Sequence, residues 1–259
     1  MSHINEAFKN GKACIAFLTT GVPSVEDTVQ YVLDMEKAGA DLIELGVPFS
    51  DPIADGPVIM EADVKALANH IHLPQVMETV KEIRKHTDIP LVLLTYYNPV
   101  FRYPADRFFE EAGKIGIDGI IIPDLPYEEQ GEIRPLADEN GVDMIQMVAP
   151  TSEERIRSNV KNAIGFVYVV SSMGVTGMRG DIGTDLKDMI KVVKETTHTP
   201  VAIGFGIHTP QQAKEMAALA DGVITGSGVV DIINKKGKEA GPDLIAYISS
   251  LKQGMEEQK

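Results

Sequence analysis

D-L-I-E-L-G-V-P-F-S-D-P-I-A-D-G-P, residues 41–57, contains a short aliphatic run broken by one acid and then a loop stiffened by three prolines and two glycines. A strand that is apolar on both faces is one covered on both faces. The run 42–45 is of this kind, and similar runs recur at 14–19, 90–95, 119–122, 144–148, 166–170, 200–204 and 222–225. Stretches with helical spacing separate them, the pattern of a parallel sheet with crossover helices. Eight strands predict a closed α/β fold, a (β/α)8 TIM barrel.

Between the strands, residues 25–38 place Val25, Val29, Val32, Leu33 and Met35 on one helical stripe, with Gly39 as a stop. Residues 76–85, 105–114, 130–140, 185–196 and 210–220 read as further outer helices. The interval between the second and third strands is longer than its neighbours and predicts an extra helix after strand 2, near 58–69. Ile4, Ala7 and Phe8 among polar neighbours predict an extra short N-terminal helix. No linker rich in Pro, Gly or Ser divides the chain, so one domain over residues 1–259 is expected, with a polar tail at 253–259 that frays.

With 38 acidic against 24 basic residues, the net charge of -14 repels a polyanion, which argues against nucleic-acid binding. A small phosphorylated ligand stays open, because backbone N–H groups and helix dipoles bind phosphate without a basic surface. The lone cysteine, Cys14, lies in an apolar run and reads as core. A chain without a disulfide pair fits a reducing, cytoplasmic setting. No run is apolar enough for a membrane span.

Barrels of this class carry their active sites at the C-terminal ends of the strands. Glu44 interrupts such a strand, where an ionised group is costly to bury without a role or a partner. Taken alone it could be a structural ion pair or a polar plug. The rigid loop that follows presents Asp51 and Asp55, and two carboxylates in different surroundings can divide acid and base work. Asp51 is equally well read as a turn residue. Late in the chain, G-F-G-I at 204–207 and T-G-S-G at 225–228 follow the last two strands, the usual place for a phosphate site. After the sixth strand, S-S-M-G-V-T-G-M-R-G at 171–180 is expected to act as a lid.

Other chemistries lack their residues. None of the eight runs holds a lysine for a Schiff base, the six histidines are scattered, and no G-x-G-x-x-G follows the first strand. No metal is expected. Acid–base chemistry on a phosphorylated substrate remains.

The stretch A-D-L-I-E-L-G-V-P-F-S-D-P-I-A-D-G-P, residues 40–57, closely resembles the signature of the tryptophan synthase alpha family. A-F-K-N-G-K-A (7–13), L-L-T-Y-Y-N-P-V (93–100), P-D-L-P-Y-E-E (123–129), G-V-T-G (174–177), G-F-G-I (204–207) and G-S (226–227) are similar to further family landmarks in order. The resemblance implies retro-aldol cleavage of indole-3-glycerol phosphate to indole and glyceraldehyde 3-phosphate. Glu44 would protonate indole C3, Asp55 would meet the indole N–H, and Tyr168 would help place the glutamate. Phe205, Leu94 and Ile121 would surround the ring. Gly177, Gly206, Gly226 and Ser227 would hold phosphate, and Thr176 would reach Asp55 when the lid closes. The family pairs with a beta subunit in an allosteric alpha2beta2 heterotetramer. Pro48, Phe49, Asp51 and Pro126 resemble interface positions. Pyridoxal phosphate is expected only in that partner, with no cofactor in this chain.

One departure stands in T-T-G-V-P at 19–23, where Val22 replaces the aspartate usual in the family. Two other readings are weighed: a stand-alone indole-releasing lyase or related phosphosugar enzyme, and a barrel that has lost catalysis and serves as a binding subunit.

Overall fold

A computed structural model describes residues 2–171, 182–204 and 206–256, leaving aside the side chains of 182–185. Its strands are β1 (Ala13–Thr19), β2 (Leu42–Gly46), β3 (Leu91–Leu94), β4 (Gly119–Ile121), β5 (Asp143–Met144), β6 (Gln146–Val148), β7 (Val167–Val170), β8 (Val201–Gly204) and β9 (Gly222–Thr225). All pair in parallel in the order β5-β4-β3-β2-β1-β9-β8-β7-β6. The two ends of this order, β5 and β6, are halves of one run divided at Ile145. Its N–H still reaches the Ile120 carbonyl at 2.9 Å. The expected fifth strand therefore turns from one neighbour to the other at Ile145, and the sheet closes on itself as a (β/α)8 barrel.

The period of two along each strand sorts the side chains. Leu42, Val92, Ile121, Phe166, Tyr168 and Ile224 pack together inside the barrel, whereas Ile43, Leu45, Leu91, Leu93 and Val169 join the layer beneath the helices. Glu44 follows Leu42 by two and so takes the inward face of β2. Its register partners are Phe17 on β1 and Val92 on β3. The N-terminal end of the barrel is plugged by a short 3-10 helix, Ile4–Phe8, whose Ile4 and Ala7 are buried. A methyl added at Gly119 would lie 2.8 Å from Ile4 Cδ1, which shows how tightly the plug sits.

The outer layer begins with α1 (Val25–Lys37), whose Ser24 hydroxyl accepts from the Asp27 N–H as an N-cap. Between β2 and β3 come α2 (Pro57–Ala68), the extra helix expected there, and α3 (Leu73–Ile83). Then follow α4 (Tyr97–Arg102), α5 (Ala105–Ile115), α6 (Arg134–Glu139), α7 (Glu153–Val160), α8 (Ile182–Thr196), α9 (Pro210–Ala217), α10 (Ser227–Lys236) and α11 (Gly241–Glu256). The helix expected over 130–140 is split into a 3-10 turn, Tyr127–Glu132, and α6, with a proline in the first turn of α6.

Three helices, α4, α7 and α11, were not anticipated from the sequence, and the expected fraying of 253–259 is corrected through Glu256. Met255 is buried in the main core, and a methyl at Gly254 would approach the Pro210 carbonyl to 2.6 Å. That close contact with the start of α9 holds the last turn down. In the loop after β1, Val22 is buried, and the Gly21 N–H donates to Thr28 Oγ1 at 2.9 Å. Cys14 is buried core, its thiol pushed up to about 12 by burial and then by Asp41.

Candidate active site

The C-terminal mouth of the barrel holds a cavity of about 360 Å3. Glu44, Asp55, Leu94, Tyr168, Gly206, Gly226 and Ser227 all line it, brought together from three strands and three of the segments that follow strands. Ile121 packs instead in the barrel interior, fully buried, and is not part of the cavity wall. Phe205, Thr176, Gly177 and the rest of the expected lid after Ser171 lie outside the described residues. Phe17, Ile59, Ile224 and His208 also line the cavity and were not singled out from the sequence. Phe17 could have been, since its place two residues after Ile15 puts it on the inward face near the end of β1. Its ring lies over Gly46, where a Cβ would come within 2.7 Å of Cζ.

Glu44 is 1% exposed, and among the described residues neither carboxyl oxygen has a hydrogen-bond partner. Burial raises its pKa to about 8, so the group is an acid at neutral pH. This removes the ion-pair reading, and a polar plug would be expected to have its hydrogen bonds made. Tyr168 is buried on β7, and its phenol is pushed well above its usual range by burial and then by the charges of Glu44 and Asp55. It stays protonated. Gly204 leaves it room, because a Cβ there would meet the Tyr168 hydroxyl at 2.4 Å.

Asp55 is half-buried on the loop ahead of α2. Burial raises its pKa, and a hydrogen bond from the Tyr96 hydroxyl to Oδ2, 2.8 Å long, offsets only part of that rise. The same hydroxyl accepts the Ala54 N–H at 3.0 Å, so one side chain at the end of β3 fixes the loop by two bonds. Tyr96 was missed from the sequence, although it lies at a strand end within the L-L-T-Y-Y-N-P-V landmark. Asp63 on α2 was also missed. Burial and then Asp55 raise its pKa to about 8, against a backbone hydrogen bond from Phe49.

Opposite the acids, Gly206 takes φ +78°, a conformation that other residues rarely adopt. Ser227 begins α10, whose first helical hydrogen bond runs from the Val230 N–H to the Gly226 carbonyl at 3.0 Å. The N–H groups ahead of Val230 have no carbonyl of their own helix within reach. Such free N–H groups, with the helix dipole, favour negative charge at this end of the helix.

Of the expected interface residues, Pro48 and Phe49 line a second, outer cavity of about 660 Å3, and Phe49 stacks on Tyr96 with ring centroids 5.1 Å apart. Asp51 is exposed and accepts from the Ser50 hydroxyl at 2.6 Å. Pro126 lies apart from them beside a small polar cavity. Among the described residues, no cluster of three or more His, Cys, Asp or Glu is arranged to hold a metal, and no helix is long and apolar enough to cross a membrane.

A closed parallel barrel whose mouth brings a buried acid together with a glycine-rich helix start defines the class of this protein: a (β/α)8 barrel with a cavity at the C-terminal ends of its strands. The sequence profile described as tryptophan synthase alpha chain matches residues 4–258, and the chain belongs to that family. It is 44% identical to the tryptophan synthase alpha chain of Lacticaseibacillus casei over all of its own length and 97% of that protein. With the alpha chain of a Thermoanaerobacter species it shares 48% identity over 93% of each. The fold is similar to that of tryptophan synthase subunit alpha from Legionella pneumophila, with TM-score 0.88, 32% identity and 98% of both chains covered. It is also similar to a chain of the tryptophan synthase a2b2 complex of Pyrococcus furiosus, with TM-score 0.86, 38% identity and 94% and 98% covered.

Proposed function

We propose that this chain is the lyase that cleaves indole-3-glycerol phosphate into indole and glyceraldehyde 3-phosphate, acting as one domain in the cytoplasm. The observation that carries the mechanism is Glu44: a buried carboxyl with both oxygens unpartnered among the described residues and a pKa raised to about 8, lining the cavity. Such a group is a ready proton donor at neutral pH. It protonates indole C3, and the ring nitrogen takes up positive charge that the Asp55 carboxylate stabilises through the N–H. Glu44, now a carboxylate in an apolar site, takes the proton of the glyceryl hydroxyl next to the ring. The carbon–carbon bond breaks, its electrons return to the ring, and an aldehyde forms. Protons balance without water or an outside acid. Tyr168, close to both carboxylates, orients Glu44.

Gly206, Gly226 and Ser227 seat the phosphate, and Leu94 with Phe205 flanks the ring. The lid residues Thr176 and Gly177 close over it. Pro48, Phe49, Asp51 and Pro126 face a beta subunit in an alpha2beta2 assembly that consumes the indole. Pyridoxal phosphate belongs to that partner, and this chain uses no cofactor of its own.

The test is indole release from indole-3-glycerol phosphate by the purified chain, alone and with a beta subunit from the same source. Slow release that rises strongly with the partner supports this reading. Fast release alone would make the chain a stand-alone lyase, and none in either condition would overturn the reaction.

A further inference from the structure

Two loops from different strands form the anion seat, and Tyr247 on α11 touches the root of each. Its hydroxyl lies 2.9 Å from Thr225 Oγ1, at the end of β9, and donates to the Ile207 carbonyl after β8 at 3.4 Å. Thr225 Oγ1 also reaches that carbonyl, at 3.2 Å. A steric contact completes the arrangement: a Cβ at position 228 would lie 2.1 Å from the Tyr247 hydroxyl oxygen and 2.6 Å from Cζ. The ring thus occupies space that only a glycine in the first turn of α10 leaves open.

Two hydroxyl protons serve three contacts, so two of the contacts are hydrogen bonds at any one time, and either hydroxyl can keep the Ile207 carbonyl paired while the other donates to its neighbour. A packed polar network of this kind resists deformation, because separating its members leaves a group unpaired. Ile207, Gly226 and Ser227 line the cavity, whereas Thr225 and Tyr247 stand behind them. A ligand gripped from two sides is sensitive to small errors in the spacing of the grips.

We infer that Tyr247 is a positioning residue that holds the loop after β8 at a fixed spacing from the start of α10, and so tunes affinity for the phosphate group. The inference rests on the phosphate reading above. Tyr247→Phe keeps the ring and removes the hydroxyl. Calorimetry with inorganic phosphate and steady-state indole release in the complex with the beta subunit should show Kd and KM rising together, about fivefold for one lost hydrogen bond. In the same assays kcat stays within twofold. Thr225→Val should act in the same direction, and the double variant should be no worse than the weaker-binding single one, because both changes break one network. An unchanged Kd and KM in Tyr247→Phe would overturn the inference, with or without a fall in Tm. If the wild-type chain itself failed to bind phosphate, the phosphate reading would fall and this inference with it.

Discussion

The Tyr96 hydroxyl donates to Asp55 Oδ2 at 2.8 Å and, through its other side, accepts the Ala54 N–H at 3.0 Å. The first bond favours the ionised form of Asp55 against the effect of burial, and the second stops the loop from carrying the carboxylate away. Tyr96→Phe removes both and leaves a polar group of the loop unpaired. A hydrogen bond to a charged group contributes about 1.5–3 kcal/mol. The expected loss in kcat/KM for indole release is therefore about tenfold or more, with the fold retained because the ring still stacks on Phe49. Wild-type kcat/KM in this variant would show that Asp55 needs no such support.

Glu44→Gln tests the proton donor itself. Glutamine has almost the same shape and no proton to give, so indole release should fall by about 10²–10⁴-fold, the usual worth of general acid–base catalysis. Phosphate binding should be unaffected, because the anion seat lies on other strands. A variant that turned over at the wild-type rate would remove Glu44 from the chemistry.

Much of this was legible in the sequence because it is local. Glu44 could be found from the residues beside it, since an acid inside an aliphatic run is costly wherever that run folds. The strand runs were legible for the same reason, and only the turn at Ile145, set by where two neighbours lie, altered the strand pattern. Helix α7 was hidden because it buries only Ile156 and Val160 among charged residues, too few for a stripe. Tyr96 and Tyr247 were hidden for another reason. Their partners are 41 residues away for Tyr96, and 22 and 40 for Tyr247, and only barrel closure brings them together.

Ser227→Asp separates binding from stability by the sign of its two effects. A carboxylate at the start of α10 is favourable for the helix by about 0.3–1 kcal/mol, so Tm should hold or rise slightly. The same charge occupies the anion seat and repels a phosphate dianion, so inorganic phosphate should bind at least about tenfold more weakly, an electrostatic cost of about 1.4 kcal/mol. Measuring Tm and phosphate Kd on one preparation checks both. Tight phosphate binding in this variant would place the anion elsewhere in the cavity.

The raised pKa of Glu44 also predicts how stability depends on pH. The ordinary value of a glutamate is 4.5, and in the folded chain burial raises Glu44 to about 8. Between these values the folded protein keeps a proton that the unfolded chain has lost, so unfolding releases a proton and stability falls as pH rises. The loss is roughly 1.4 kcal/mol per pH unit for one group across that window. Asp63, raised from 3.8 to about 8, has the same sign. Denaturant midpoints at pH 5, 6.5 and 8 should therefore decline in the wild type. Glu44→Gln, which has no proton to lose at this position, should decline less steeply and gain on the wild type as pH rises, whereas parallel curves would mean that Glu44 titrates near its ordinary value and is not a neutral acid at pH 7.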